Sequence, residues 1–182
     1  YSMNVAKYTA DLQPLWNRAY DSGSDILHCM TTDAANNIYV AGIEQGKYVY
    51  TLASPMTWTG PVLKVLKYGP DGDLMWEGSC KIANDSDIFL TSMLGYATGI
   101  DLDNAGNVYV SCYRSGLMHY SYPLCVGCPT GPAIKLDILS HLVEFDTQGI
   151  VMRTQTFTGA VGETLMSGSG LAGVGVDGSD NV

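Results

Sequence analysis

The chain has 182 residues, with 18 acidic against 9 basic side chains for a formal net charge of −9, and only 15% of its residues are charged. That acidity argues against a nucleic-acid partner, because phosphate binding draws on clustered Lys and Arg, and no apolar run approaches the ~18–20 residues of a membrane-spanning helix. With 46% hydrophobic residues and 21 Gly, the chain can bury a core and turn often, which excludes wholesale disorder.

Thr, Tyr, Val and Ile recur between Gly, Asp, Asn and Pro at roughly the 8–12-residue spacing of short strands and tight turns. The first element, 3–20, is a hairpin in which Val5-Ala6-Lys7-Tyr8 leads through a turn to Trp16. The second, 26–43, is a different hairpin, with an Asp33-to-Asn37 turn followed by Ile38-Tyr39-Val40. The Asp side chain suits backbone N–H groups two or three residues on, Asn36 tolerates positive φ, and Ile-Tyr-Val is a strong strand former. Residues 44–61, with Tyr48, Tyr50 and Trp58, read as an inserted contact loop. The first type of hairpin returns at 62–79, where Val65-Leu66-Lys67-Tyr68 leads through Pro70-Asp71-Gly72 to Trp76. A long loop over 81–96 carries the glycosylation sequon Asn84-Asp85-Ser86. The second type returns at 97–113 around Asp103-Asn104-Ala105-Gly106-Asn107. A second inserted loop over 114–139 holds Tyr120, Tyr122, Cys125 and Cys128. A third hairpin of the first type follows at 140–157, and a third of the second type begins over 171–182.

The spacings are regular. The turn Asp residues step by 103 − 33 = 70 and 177 − 103 = 74, and the aromatic-to-last-residue interval is 8 in each hairpin of the first type (16 − 8, 76 − 68, 153 − 145). We label the strands of the second type A and B and those of the first type C and D. Each A-B-C-D set is a four-stranded antiparallel unit with apolar residues on both faces, so it must be sandwiched between neighbours, and units stacked radially about an axis would achieve this. The equivalent aromatics Tyr8, Tyr68 and Phe145 are expected in equivalent packed sites, as are Trp16 and Trp76.

Gly99-Ile100-Asp101-Leu102-Asp103 to Val110, and Val65 to Trp76, resemble the repeats of β-propellers, in particular the seven-bladed propeller repeat and NHL-like blades. The resemblance implies an all-β fold of four-stranded antiparallel blades. It would be a partial propeller of about three blade-equivalents in one region spanning 1–182, expected to be part of a longer chain, with terminal blade faces covered by further blades or neighbouring copies. The repeat steps exceed a common blade of about 40–50 residues, and the insertions at 44–61 and 114–139 account for much of the excess. A propeller fold is nearly silent on function.

Candidate chemistry is sparse. Cys125-Val126-Gly127-Cys128 reads as a disulfide-stapled loop, a pair of thiols, or half of a zinc site with His119 or His141. Cys29 and Cys112 lie on expected strands as small buried hydrophobes. Asp101 and Asp103 offer oxygens to calcium, but turn capping explains Asp103 as well, and the full loop spacing of a calcium site is missing. His28 reads as a structural or channel-facing residue. The leading expectation is a non-enzymatic extracellular or cell-surface scaffold, adhesin or filament component, without a cofactor, that offers its aromatic loops as a contact surface for protein or glycan. The alternatives are a propeller lyase or hydrolase with a central-channel site, and a lectin-like glycan binder.

Overall fold

The computed structural model describes residues 3–20, 25–44, 47–51, 54–82, 90–119, 134–158 and 171–182. Among them the fold is all-β and antiparallel. Strands β1 (Met3–Tyr8) and β2 (Pro14–Tyr20) form a hairpin. Sheet 1 has the order β3 (Asp25–Thr32), β4 (Ile38–Glu44), β7 (Val62–Tyr68), β8 (Leu74–Lys81). Sheet 2 runs in the same sense through β9 (Leu90–Leu102), β10 (Val108–His119), β11 (Ile134–Phe145) and β12 (Val151–Thr158). A small hairpin of β5 (Lys47–Thr51) and β6 (Ser54–Thr59) lies between β4 and β7 in the chain.

Both four-stranded sheets contain the strands expected from the sequence. Three boundaries differ. The segment 44–61, expected as a loop, contains the β5–β6 hairpin, whose Val, Tyr and Thr content favours extended pairing. The loop expected over 81–96 ends early, because β9 starts at Leu90 and pairs with β10 beyond Arg114. The loop expected over 114–139 is partly strand, since β10 continues to His119 and β11 starts at Ile134. Residues 171–182 form the expected Asp177–Asn181 turn, but 171–176 make no strand ladder. Asn84, Tyr120, Tyr122, Cys125 and Cys128 lie outside the described residues.

Six turns share one hydrogen-bond pattern. The first residue's N–H donates to the fifth residue's carbonyl and the fourth residue's N–H donates to the first residue's carbonyl, in turns starting at Thr9, Asp33, Gly69, Asp103, Asp146 and Asp177. This is a three-residue hairpin loop with a left-handed residue at its end. The fourth residues have positive φ throughout: Leu12 (59°), Asn36 (63°), Gly72 (83°), Gly106 (86°), Gly149 (81°) and Asp180 (61°).

Alternation along the strands divides the core into two layers. Tyr39, Ala41, Ile43, Leu63 and Val65 face sheet 2 and meet Ile100, Val108, Val110, Val143 and Phe145. Ile38, Val40, Leu66 and Tyr68 face the other way and meet Val5, Trp16 and Tyr20 of the β1–β2 hairpin. Sheet 1 is therefore buried on both faces. We call the face of each unit that meets the following one its front, and the opposite face its back.

The two layers are fastened in the same way. Trp16 of β2 lies against Gly72, where a Cβ would come within 2.7 Å of its ring, and Trp76 of β8 lies against Gly149, where a Cβ would come within 2.6 Å. Each indole thus seats on the fourth residue of the next unit's C–D turn. Gly106 has a similar φ, but its nearest neighbour, Thr147 Cγ2, would be at an ordinary 3.6 Å. Replacing Gly106 with Ala is expected to cost about 1 kcal/mol, the left-handed penalty alone. Gly149→Ala must also displace the Trp76 ring and is expected to cost about 2–4 kcal/mol. Urea unfolding midpoints at a common m-value check this ordering, and equal costs would refute the lock.

Candidate functional site

The turn carboxylates singled out in the sequence are engaged by hydrogen bonds inside the structure. Asp103 Oδ1 accepts the N–H groups of Ala105 (3.0 Å) and Asn107 (2.8 Å), and Oδ2 accepts Asn107 Nδ2 (2.7 Å). Asp33 makes the same three bonds with Ala35 and Asn37. Partial burial pushes both carboxyls up, but these donors outweigh it and hold them below the ordinary Asp range. Asp177, paired with Asn181, is lowered in the same way. Asp101 Oδ1 accepts the N–H of Leu102 and Oδ2 accepts that of Val176, both at 2.9 Å or less. Asp101 and Asp103, the calcium candidates, thus direct their oxygens at N–H donors. Among the described residues no three His, Cys, Asp or Glu side chains are grouped to hold a metal ion.

Cys29, Cys80 and Cys112 are unpaired thiols at the layer between the sheets. Burial raises Cys29 to about 11 and raises Cys80. It raises Cys112 as well, with Cys80 and Cys29 adding to the effect. These are unreactive core thiols, as expected for Cys29 and Cys112.

His28 stands at an irregularity of β3, between Leu27 and Cys29. Its Nδ1 accepts the N–H of Ala97 at 3.3 Å, its ring packs 5.3 Å from Tyr96, and Tyr96 stacks 5.3 Å from Tyr113. It bridges sheet 1 to sheet 2. His141 is buried on β11, with Nδ1 3.1 Å from Thr156 Oγ1 and Nε2 buried without a protein partner. Burial, then the Arg114 guanidinium, lowers its pKa to about 4.

The accessible chemistry lies on the front of sheet 2. Register aligns three rows across the units: Lys7–Trp16, Tyr39–Lys67–Trp76 and Tyr109–Glu144–Arg153. In sheet 1 the row is aromatic and cationic, with Lys67 Nζ 5.0 Å over the Tyr39 ring and Tyr39 edge-on to Trp76 at 6.1 Å. In sheet 2 it is an ionic chain: Tyr109 donates to Glu144 Oε1 at 3.2 Å and Arg153 Nη2 meets Glu144 Oε2 at 2.8 Å. A cleft of about 430 Å³ opens there, lined by Tyr109, Leu142, Glu144, Arg153, Gln155 and Val182 among others. Arg153 is not among the site residues that the sequence points to, although the interval of 8 places it at the Trp position of the third C–D hairpin. The backbones of Tyr48, Tyr50 and Trp58 belong to the β5–β6 hairpin, a two-stranded sheet separate from the one that carries this row.

No protein-family model matches the chain, and no curated protein matches it.

The His141 pKa sets a pH window. An unfolded imidazole takes up a proton near 6.5, whereas the buried one resists until about 4. The unfolded state therefore binds more protons between these values. Stability is full above 6.5 and falls as pH drops toward 4, by roughly 2 kcal/mol after allowing for solvent screening. His141→Gln, which cannot titrate, should flatten the unfolding midpoint over this window, and an unchanged slope would place the effect elsewhere.

Proposed function

We propose that residues 1–182 belong to one β-propeller region of about three blade-equivalents, serving as a non-enzymatic structural and interaction element outside the cell or on its surface. The observation that carries this reading is the repeated front-to-back packing, in which Trp16 seats on Gly72 and Trp76 on Gly149 while sheet 1 is buried on both faces. Two successive interfaces built the same way are what radial stacking of four-stranded units requires. The segment expected as the third A strand continues the pattern: Gly99 leaves space for Gly173 and Val174, and Asp101 accepts the Val176 N–H. Hydrogen bonding within the fold engages the turn carboxylates, and burial raises the thiols. The exposed Arg153 and Gln155 on β12 are then the part of the front of sheet 2 with chemistry to offer a partner. Support for an outside location is compositional: the acidic balance, the Asn84 sequon and the closely spaced Cys125 and Cys128.

Two measurements test this reading. A crystal structure should relate the β1–β2 hairpin, sheet 1 and sheet 2 by rotations about one axis. C–D and A–B hairpins separated into two sandwiches would overturn the fold proposal. On intact source cells a membrane-impermeant amine reagent should label the chain, and labelling only after lysis would overturn the location.

A further inference from the structure

The two internal interfaces share a lock but differ in what else they bury. Between the β1–β2 hairpin and sheet 1 the packed residues are Val5, Ile38, Val40, Leu66 and Tyr68, with no histidine among them. Between sheets 1 and 2 the layer takes in His28, His141 and Arg114. Cys112 lies in that layer, and register sets His141 directly across from it on β11. Arg114, two residues on from Cys112 along β10, shares its face, so all three side chains point toward sheet 1. Arg114 is 2% exposed and His141 6%. His28 enters from the other side, at the irregularity of β3.

Both imidazoles hold this interface together only while neutral. His28 Nδ1 accepts the Ala97 N–H at 3.3 Å, and Ala97 lies on β9, the edge strand of sheet 2. A proton on that nitrogen would set one N–H against another across the two sheets. His141 stands beside the Arg114 guanidinium, so a proton there adds a second cation to a layer of Ile, Leu and Val side chains. The Nε2 atoms of both rings are buried without a protein partner among the described residues. The titratable groups facing this layer are Tyr96 and Tyr113 by His28, the thiols of Cys29, Cys80 and Cys112, Lys67 over the Tyr39 ring, and Arg114. The strand carboxylates point elsewhere: Glu44 and Glu77 pair with Lys64 on the back of sheet 1, and Glu144 pairs with Arg153 on the front of sheet 2.

We propose that the interface between sheets 1 and 2 is an acid-operated joint: protons on His28 and His141 part the two sheets, while the β1–β2 hairpin stays on sheet 1 and both four-stranded sheets keep their ladders. The direction follows from burial, which holds His28 below the ordinary 6.5 and His141 at about 4. In the parted state both rings meet water and take up protons first. The closed joint is therefore fully favoured above 6.5 and loses ground as pH falls toward 4. Asp33, Asp103, Asp177 and Glu77 are held below their ordinary ranges by their hydrogen bonds, so they stay charged at about pH 5 and the turns stay closed. The joint depends on the packing of the two sheets alone, whatever the protein contacts and wherever it acts.

Cys112, fully buried in the joint, supplies the readout. The full chain is treated with dithiodipyridine, a disulfide reagent that reacts with thiols in mild acid, at neutral pH and at about pH 5. Peptide mapping assigns the label to Cys112, a free-thiol peptide corrects for the reagent, and circular dichroism follows the β-sheet in the same samples. Labelling of Cys112 should rise about tenfold on acidification while the β-sheet signal holds. His28→Asn keeps an acceptor for the Ala97 N–H, and His141→Gln keeps an uncharged polar end. Together they should abolish the rise, and each alone should reduce it. A flat rate in the unchanged chain overturns the proposal, as does a full rise in the double variant or in either single one. A rise that comes with loss of the β-sheet signal overturns it too, because the chain would then be unfolding rather than opening at one interface. If the double variant does not fold, the two single variants decide in the same way.

Discussion

Each D-strand indole lies against the fourth residue of the next C–D turn at a distance that leaves no room for a Cβ. Two demands meet at that residue. The hairpin loop needs a left-handed backbone there, and the neighbouring unit needs an empty surface. Glycine meets both, and Asn or Asp would meet only the first. The A–B turns carry the first demand alone, which is why Asn36 and Asp180 serve in them while Gly72 and Gly149 occupy the internal C–D turns. Gly78 shows the same pressure on the strand side, since its Cβ would come within 2.6 Å of the Gly149 carbonyl oxygen. The spacing between sheets is therefore set by ring against backbone, a contact with little freedom to adjust, while the aliphatic residues fill the space that remains.

The A–B turns solve a different problem. A carboxylate that accepts two backbone N–H groups and an Asn amide holds the loop closed without help from a neighbour, and its lowered pKa reports how much the charged form is favoured. In two copies the Tyr six residues on, Tyr39 or Tyr109, also points its hydroxyl at this carboxylate, tying the turn to the B strand that enters the core. The acidity that the composition shows is thus partly structural. Such an Asp would have to release several donors before it could bind an ion.

Much of this was legible because turn chemistry is local. The interval from Asp to Asn, and the interval of 8 from aromatic to last residue, fixed the hairpins and their order. The shared register irregularity before Tyr8, Tyr68 and Phe145 shows that the alignment of those three residues was sound. The extensions of β9, β10 and β11 were not legible. Ser, Gly and Met in 90–95 and 114–118 carry little strand propensity, and those segments are held by each other across the ladder. The lock was equally hidden, since it joins residues 72 − 16 = 56 and 149 − 76 = 73 apart and no spacing rule links a Trp to a glycine at that range. Leu12 drew no attention because a lone apolar residue in a turn is ordinary in sequence. Its backbone conformation is what makes it unusual.

Trp76, Gly78 and Leu63 on the front of sheet 1 have Arg153, Gln155 and Ser140 as their counterparts on sheet 2, by the matching registers of β7–β8 and β11–β12. A polar group on a packed face has to be met by a donor or acceptor from whatever covers it. Residues 171–182 do this on the front of sheet 2: the Leu171 N–H donates to Ser140 Oγ, the Val176 N–H donates to Asp101 Oδ2, and the Asn104 N–H donates to Asp180 Oδ1. Ser140 is accordingly buried with its hydroxyl engaged. The front of sheet 1 thus meets its neighbour through a ring seated on glycine, and the front of sheet 2 meets the following segment through hydrogen bonds, so donor–acceptor alignment takes over there from ring against backbone.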